Sequence, residues 1–546
     1  MSDLDATMMM PRVQPEASPS LARSSSTLAI ATLVSRITGF GWKIVLAWVV
    51  GLGQLNDSYT VASSFPTIIN ELLLGGVLSS VVVPLLVRAQ KEDRDRGEAY
   101  TQRLLTIGCT ILVVGTTLAM IFARELTNLY VSDEGTEANP ELTEAFTYLI
   151  LPAIVFMGLS AMVMAILNTK SRFAATGWAP VTNNLIMFAV IGLYAIMPGE
   201  LTLNPVAMSD PKLLVLGIGF PLGIASQLFV LIPALRKTGF RFRVRFGWDR
   251  RLGEFGGLAA WVIAYALLGQ LGVSAVTNTA TNGAGGGAAT YFNAWLLLQF
   301  PYGVIGVSLL TVIMPRMSRA AADGDFEKVK DDLSLGSRLS TVMLGPLCGL
   351  MTVLGPSIGI ALVSFGKSDV DQATRLGLAV TSAAFGVLPF AICMLQMRVF
   401  YAMKDSRTPT LIMAVMMAVK VPLSYLCPQL LDANDLVYGL TFVNSLSFVV
   451  GAIVGELWLR SRLGRLGTSA VVRTVLKTFV ASVWGAAAAL AVVLWMDGNK
   501  TVGGAWLSLV LGTLAGGLVT FGIMTALRVR ELDAATARIT RLVRRR

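Results

Sequence analysis

Leu-Ala-Ile-Ala-Thr-Leu-Val-Ser-Arg-Ile-Thr-Gly-Phe-Gly-Trp-Lys-Ile-Val-Leu-Ala-Trp-Val-Val, residues 28–50, is a run long enough to cross a bilayer that carries two cations, Arg36 and Lys43. A charge at bilayer depth costs about 3 kcal/mol or more, so it normally faces a partner or a water-filled cavity. Seven residues of helix bring Arg36 and Lys43 back to one face, about 10 Å apart along the axis. Gly39 lies between them and leaves room for a ligand. Arg398 and Lys420 interrupt two later apolar runs in the same way. Cationic cavities suit anionic cargo, so transport of a phosphate-bearing lipid or solute is the leading reading.

The rest of the chain has the same character. It has 546 residues, 54% apolar and only 14% charged, where a soluble domain carries roughly a quarter charged residues. This is an all-α polytopic membrane protein. Applying the twenty-residue rule along the chain gives about 14 transmembrane helices. These begin with 28–50, 58–87, 104–123, 146–167, 178–197, 213–235, 255–276 and 289–314, and continue with 339–363, 376–403, 410–428, 436–458, 478–496 and 505–527.

The charges orient the bundle. The six even-to-odd loops hold 26 Lys and Arg and the seven odd-to-even loops hold 5, which places both termini and the basic loops in the cytoplasm. The net charge of +11 is therefore topology and not nucleic-acid binding. The absence of histidine removes His-based metal sites and proton relays. The four cysteines read as small buried hydrophobes without metal-ligand spacing. No cofactor, metal or enzymatic chemistry is expected.

An internal repeat divides the chain. Phe65-Pro66 in the second span matches Phe300-Pro301 in the eighth, and each pair is expected to break its helix. Lys170-Ser-Arg172 with Pro180 matches Lys404-Asp-Ser-Arg407 with Pro409 at nearly the same offset. The expected organisation is two parallel six-helix repeats plus two extra C-terminal helices, with a binding site between the halves. The segments are a disordered tail (1–26), an N-terminal lobe (27–235), a basic loop (236–254), a C-terminal lobe (255–459), a second basic loop (460–477), helices 13 and 14 (478–527) and a basic tail (528–546).

Asn70 and Glu71 lie at the middle of the second span, where Glu71 is placed to neutralise Arg36 or Lys43 until cargo arrives. Pro66 and Gly75-Gly76 suit a bending element, as do Pro301, Gly303 and Gly306 in the eighth span. Asn56-Asp57-Ser58 reads both as N-cap material for the second span and as part of the cargo site. The candidate binding set is Arg36, Lys43, Asp57, Asn70, Glu71, Arg398 and Lys420. The glycine run 283–287 neither follows a strand nor opens a nucleotide-binding helix, and reads as a flexible external hinge. Glu456 is expected to pair with Arg460. The Arg- and Phe-bearing loop 236–254 and the basic tail could hold anionic membrane lipids.

Five motifs in order resemble the MurJ (MviN) lipid II flippase family over roughly residues 26–527. They are Ser35-Arg36-Ile-Thr-Gly39-Phe40; Asp57 with Phe65-Pro66, Gly76 and Pro84; Asn168 to Arg172-Phe173-Ala174 with Ala179-Pro180 and Asn184; Phe300-Pro301-Tyr-Gly303-Val-Ile-Gly306 to Ser318-Arg319; and Arg398-Val-Phe400-Tyr401-Ala402 with Asp405-Ser-Arg407-Thr408-Pro409. The resemblance implies a member of the multidrug/oligosaccharidyl-lipid/polysaccharide exporter superfamily working by alternating access. Its implied cargo is lipid II, the undecaprenyl-pyrophosphate-linked peptidoglycan precursor, and its implied location the bacterial cytoplasmic membrane, beside other peptidoglycan-synthesis and division proteins. It also implies a lipid-tail groove along the last two helices, compatible with Gly512, Gly516 and Gly517.

The sequence departs from the family where many members carry basic residues, at Trp42, at Asn70-Glu71 and near Leu297. Lys43 could substitute for the first, though it points about 100° away. The chain is most similar to a high-GC Gram-positive branch whose members continue into a cytosolic kinase-like domain; this sequence ends at Arg546 without one. Alternatives are a flippase for another polyprenyl-pyrophosphate-linked glycan and a non-transporting scaffold for wall synthesis. A cation-coupled drug exporter would want acidic residues in the cavity, and a membrane glycosyltransferase more outer-loop carboxylates than Asp57 alone.

Overall fold

The computed structural model describes residues 19–70, 86, 89, 92–95, 97–131, 139–170, 172–199, 201, 206–247, 256–281, 286–403, 405–496 and 501–532. Helices account for nearly all of them, and no strand occurs among the described residues. In chain order the helices begin with α1 (Pro19–Val50), α2 (Gln54–Asn70), α3 (Glu98–Ile121), α4 (Ala123–Tyr130), α5 (Pro140–Ile150), α6 (Ala153–Thr169), α7 (Phe173–Ile196) and α8 (Pro211–Arg236). After these come α9 (Gly256–Thr281), α10 (Gly287–Pro301), a π turn (Tyr302–Gly306), α11 (Val307–Ala322), α12 (Phe326–Val363) and α13 (Val370–Ala383). The chain closes with α14 (Val387–Ala402), α15 (Arg407–Leu430), α16 (Leu436–Leu463), α17 (Thr468–Met496) and α18 (Val502–Ala526).

Ten helices are long and apolar enough to cross a membrane among the described residues, or eleven if α5 and α6, bent by 43°, form one span. Pro152 lies at that bend and cannot complete the helical ladder. The other three expected spans fall on α2, α9 and the interrupted α10–α11, which do not meet the same test over the described residues.

Two expectations need correction. The first helix begins at Pro19, so residues 19–26 are helical and not a disordered tail. Proline suits the first helical position, and Leu21, Ala22 and Arg23 are strong helix formers that extend the apolar helix backwards. Helix α2 also passes through Pro66 to Asn70 without a break. In the turn before the proline, Ser63 and Ser64 donate their hydroxyls to the carbonyls of Thr60 and Val61. At Phe300-Pro301 the expected break is present, and the chain goes into a π turn.

Packing joins α1 to α7, α7 and α6 to α8, α5 to α2 and α3 to α6. Farther along, α9 packs on α15, α15 and α14 on α16, and α12 on α13 and α14, with α17 and α18 laid against α12. The two sets meet where α2 touches α10 and α9, where α4 touches α9, and where α1 touches α12. One hydrophobic core runs across that seam, from Leu52, Phe65 and Tyr130 to Val276, Tyr291, Val363 and Ala373. Phe65 and Tyr130 stack edge to face at 5.1 Å within it.

Candidate functional site

Arg36 lies on the exposed side of α1, beside Leu33 and Ile37, which are themselves exposed. Its turn is fixed from α7: the Asn184 side-chain amide donates to the Ser35 carbonyl at 2.9 Å and to the Thr38 hydroxyl at 2.9 Å. Gly39 faces the same asparagine, where an added Cβ would make ordinary contact at 3.4 Å from its amide nitrogen. Asn184 belongs to the family-like motif, but nothing local in sequence reveals that it grips the arginine's turn.

The guanidinium of Arg36 reaches the π turn between α10 and α11. It occupies the space in front of Gly303, where a Cβ would be 3.2 Å from the Arg36 Cζ. Three residues on, a Cβ at Gly306 would meet the Tyr302 ring, so the second glycine lets that ring fold back over the turn. Pro301, Gly303 and Gly306 therefore build the place where Arg36 lands. Arg398, exposed on α14, acts electrostatically on the Tyr302 hydroxyl together with Arg36. Arg36 and Arg398, from opposite sides of the seam, thus both act electrostatically on one tyrosine. Among the described residues no carboxylate pairs with either arginine. Phe390 braces Tyr302 at 4.6 Å and continues into a cluster with Trp295 and Phe448, while Phe40 meets Phe300 at 5.5 Å. Two guanidinium groups acting on one hydroxyl supply the kind of charge that binds a phosphate group.

The other candidates are placed differently. Lys43 is half-buried with its ammonium over the Trp42 ring, 5.7 Å from the centroid. Asn70 is half-buried, and its side-chain oxygen has no hydrogen-bond partner among the described residues. Glu71, Gly75 and Gly76 lie outside the described residues. Lys420 is buried in the second set of helices and donates to the Asn444 side-chain oxygen at 2.8 Å. Its aliphatic stem lies against Gly272 of α9, away from the arginine pair's turn. Glu456 pairs with Arg460 at 3.2 Å.

Asp57 is the clearest revision. It is 2% exposed and its carboxylate accepts the Ala289 amide at 2.6 Å, with the Gly286 and Ala288 amides also directed to it. It therefore caps α10 from across the seam and does not cap its own helix, which begins earlier at Gln54. Nearby, the Lys367 amide donates to the Trp48 carbonyl at 2.8 Å, the Ser368 hydroxyl to the Ala47 carbonyl at 2.8 Å, and the Trp48 indole to the Leu362 carbonyl at 2.6 Å. These bonds close this end of the seam. The glycine run is part of the closure and not a free hinge at Gly286–Gly287: Gly286 has φ +86°, and added Cβ atoms at the two positions would strike the Leu52 and Ala280 carbonyls.

A family model described as lipid II flippase MurJ matches residues 46–527. The chain belongs to the MurJ family. It is 26% identical to a lipid II flippase MurJ of Burkholderia cenocepacia over 454 residues, 82% of this chain and 84% of that one. It is also 26% identical to a probable lipid II flippase MurJ of Vibrio cholerae over 407 residues, covering 71% and 74%. A solved lipid II flippase MurJ in an inward closed conformation shares the fold at a TM-score of 0.70 and 18% identity, covering 92% of this chain and 99% of that structure. An inward-facing multidrug resistance transporter of the MATE family shares it at 0.63 and 13%, covering 82% and 99%. As a MurJ family member with at least ten candidate spans, the chain is a multi-pass transporter of the bacterial inner membrane. Trp42 and Leu297, at the departures from the usual MurJ basic set, are each 7% exposed and belong to the core.

Proposed function

We propose that this chain carries lipid II from the inner to the outer leaflet by alternating access. The observation that carries the proposal is the meeting of Arg36 and Arg398 at Tyr302, on the seam between two helix sets that are bonded together at the Asp57 end. A pyrophosphate is the cargo group that two guanidinium forks without a carboxylate partner among the described residues recognise most strongly. With the basic loops in the cytoplasm, the bonded end faces outward and the arginine pair is reached from inside. The two lobes of the internal repeat then rock about the π turn, where the backbone already departs from α-helical geometry. The membrane potential acting on an anionic cargo supplies about 2.3 kcal/mol per charge per 100 mV toward outward transfer, the simplest driver.

The test is transfer of fluorescent lipid II across liposomes containing the purified chain. Accessible label should appear in the opposite leaflet above the protein-free rate, and Arg36→Ala or Arg398→Ala should remove most of that increment. Folded wild-type protein that transfers no lipid II would reject this cargo, and the same assay with other polyprenyl-pyrophosphate-linked glycans would then identify the substrate class.

A further inference from the structure

A second cationic site lies at the foot of α12, α17 and α18, sharing no residue with the Arg36 site. Arg473 and Lys477 precede the apolar part of α17, and Arg528 and Arg530 follow the end of α18. Because α17 packs along α18, the four meet at one end of the pair. With Arg338 of α12 they line a cavity of about 670 Å³. Glu531 is the lone carboxylate in the lining and is engaged by Arg338 at 3.0 Å. Lys477 donates to the Leu527 carbonyl at 2.7 Å and the Arg528 carbonyl at 3.2 Å, so it ties the end of α18 to α17 while keeping its charge in the cavity. No carboxylate among the described residues pairs with Arg473, Arg528 or Arg530.

The backbone of this site is unusual. Arg528 has φ +50°, whereas every other positive φ among the described residues belongs to a glycine. The left-handed turn is imposed by the helix end: the Arg528 amide donates to the Thr525 carbonyl at 3.0 Å and the Val529 amide to the Met524 carbonyl at 3.1 Å. Val529 is thereby buried against Val342, Ala481 and Met524. Glycine would adopt this turn without strain, so the arginine stands there against local preference. Above the cavity, α17 and α18 expose Phe479, Trp484 and Leu518, an apolar surface of the kind acyl chains cover. Cations at the boundary between such a surface and the helix ends lie at the depth of lipid phosphates.

We propose that this cavity binds the phosphate headgroup of an anionic membrane lipid, which stays with the protein as a resident partner and is not the transported cargo. The assignment depends on the ends of α17 and α18 and not on which leaflet they face. Protein purified in detergent is mixed with equal amounts of phosphatidylglycerol, cardiolipin and phosphatidylcholine and examined by native mass spectrometry. Wild type should retain the two anionic lipids over phosphatidylcholine. Retention should fall about fivefold for each arginine removed among Arg473→Gln, Arg528→Gly and Arg530→Gln. Arg528→Gly relaxes the backbone and so separates loss of charge from loss of fold; its melting temperature should not drop. Equal retention of all three lipids, or undiminished retention by the triple variant, overturns the site. Saturable binding of inorganic pyrophosphate without lipid, lost in the triple variant, would assign the cavity to free phosphate and overturn the lipid.

Discussion

Asp57 on α2 accepts the backbone amide of Ala289 at 2.6 Å, so a helix end in one set of helices is capped by a side chain from the other. The bond spans 232 residues of sequence and holds only while the seam is closed at that end. Caps of this kind contribute about 0.5–2 kcal/mol, enough to shift the balance between closed and open forms several-fold. Asp57→Ala should favour opening at this end. A cysteine replacing the buried Thr290, in an otherwise cysteine-free protein, should then react several-fold faster with an impermeant maleimide. Asp57→Asn keeps an acceptor and should react at an intermediate rate. An unchanged rate in Asp57→Ala would mean that the cap does not hold the seam.

Gly303 leaves space that the Arg36 guanidinium fills. Gly303→Ala should push the guanidinium out and lower lipid II transfer by roughly tenfold, the effect of about 1.4 kcal/mol in a competent population. In Arg36→Ala the space is already empty, so adding Gly303→Ala should cost little more. Losses that multiply independently in the double variant would show that the two residues do not act through contact.

The features of this site that depend on neighbours in sequence were legible before any fold was known. Arg36 announces itself as a charge in an apolar run, and Pro301, Gly303 and Gly306 as interruptions of helical pattern, because membrane helices tolerate both only where something compensates. Partners brought by packing were not legible. Asp57 looked like a cap for the helix it begins, yet the amides it meets are on α10. Asn184 serves the Arg36 turn from α7, and Lys420 finds its acceptor one helix later. The second cationic cavity is likewise assembled from three separate segments, each of which alone reads as ordinary positive-inside loading.

Lys420 is a buried charge with a side-chain partner in its own set of helices. The residue is 7% exposed, and its ammonium donates to Asn444 within the second set of helices. Asn444→Ala should remove a hydrogen bond to a charged group worth about 2 kcal/mol and lower the melting temperature in detergent. Lys420→Met with Asn444→Leu, which removes both polar partners, should recover much of that loss. Lipid II transfer by the double variant should stay close to wild type. Restored stability with abolished transfer would instead place Lys420 in the cargo path.

The orientation of the bundle has its own test, independent of cargo. The charge asymmetry of 26 to 5 between alternate loops predicts that Met208 and Asn434 face outside and Asp323 and Ser461 inside. All four are exposed in the structure, so an introduced cysteine should react wherever the reagent can reach it. In intact cells an impermeant maleimide should label Met208→Cys and Asn434→Cys in the cysteine-free protein. It should label Asp323→Cys and Ser461→Cys only after the membrane is opened. The opposite pattern would turn the Asp57 closure toward the cytoplasm and the Arg36–Arg398 pair toward the outside. Lipid II would then have to load from the leaflet to which it is delivered, and the direction of transport proposed for this chain would be wrong even if its arginines bind pyrophosphate.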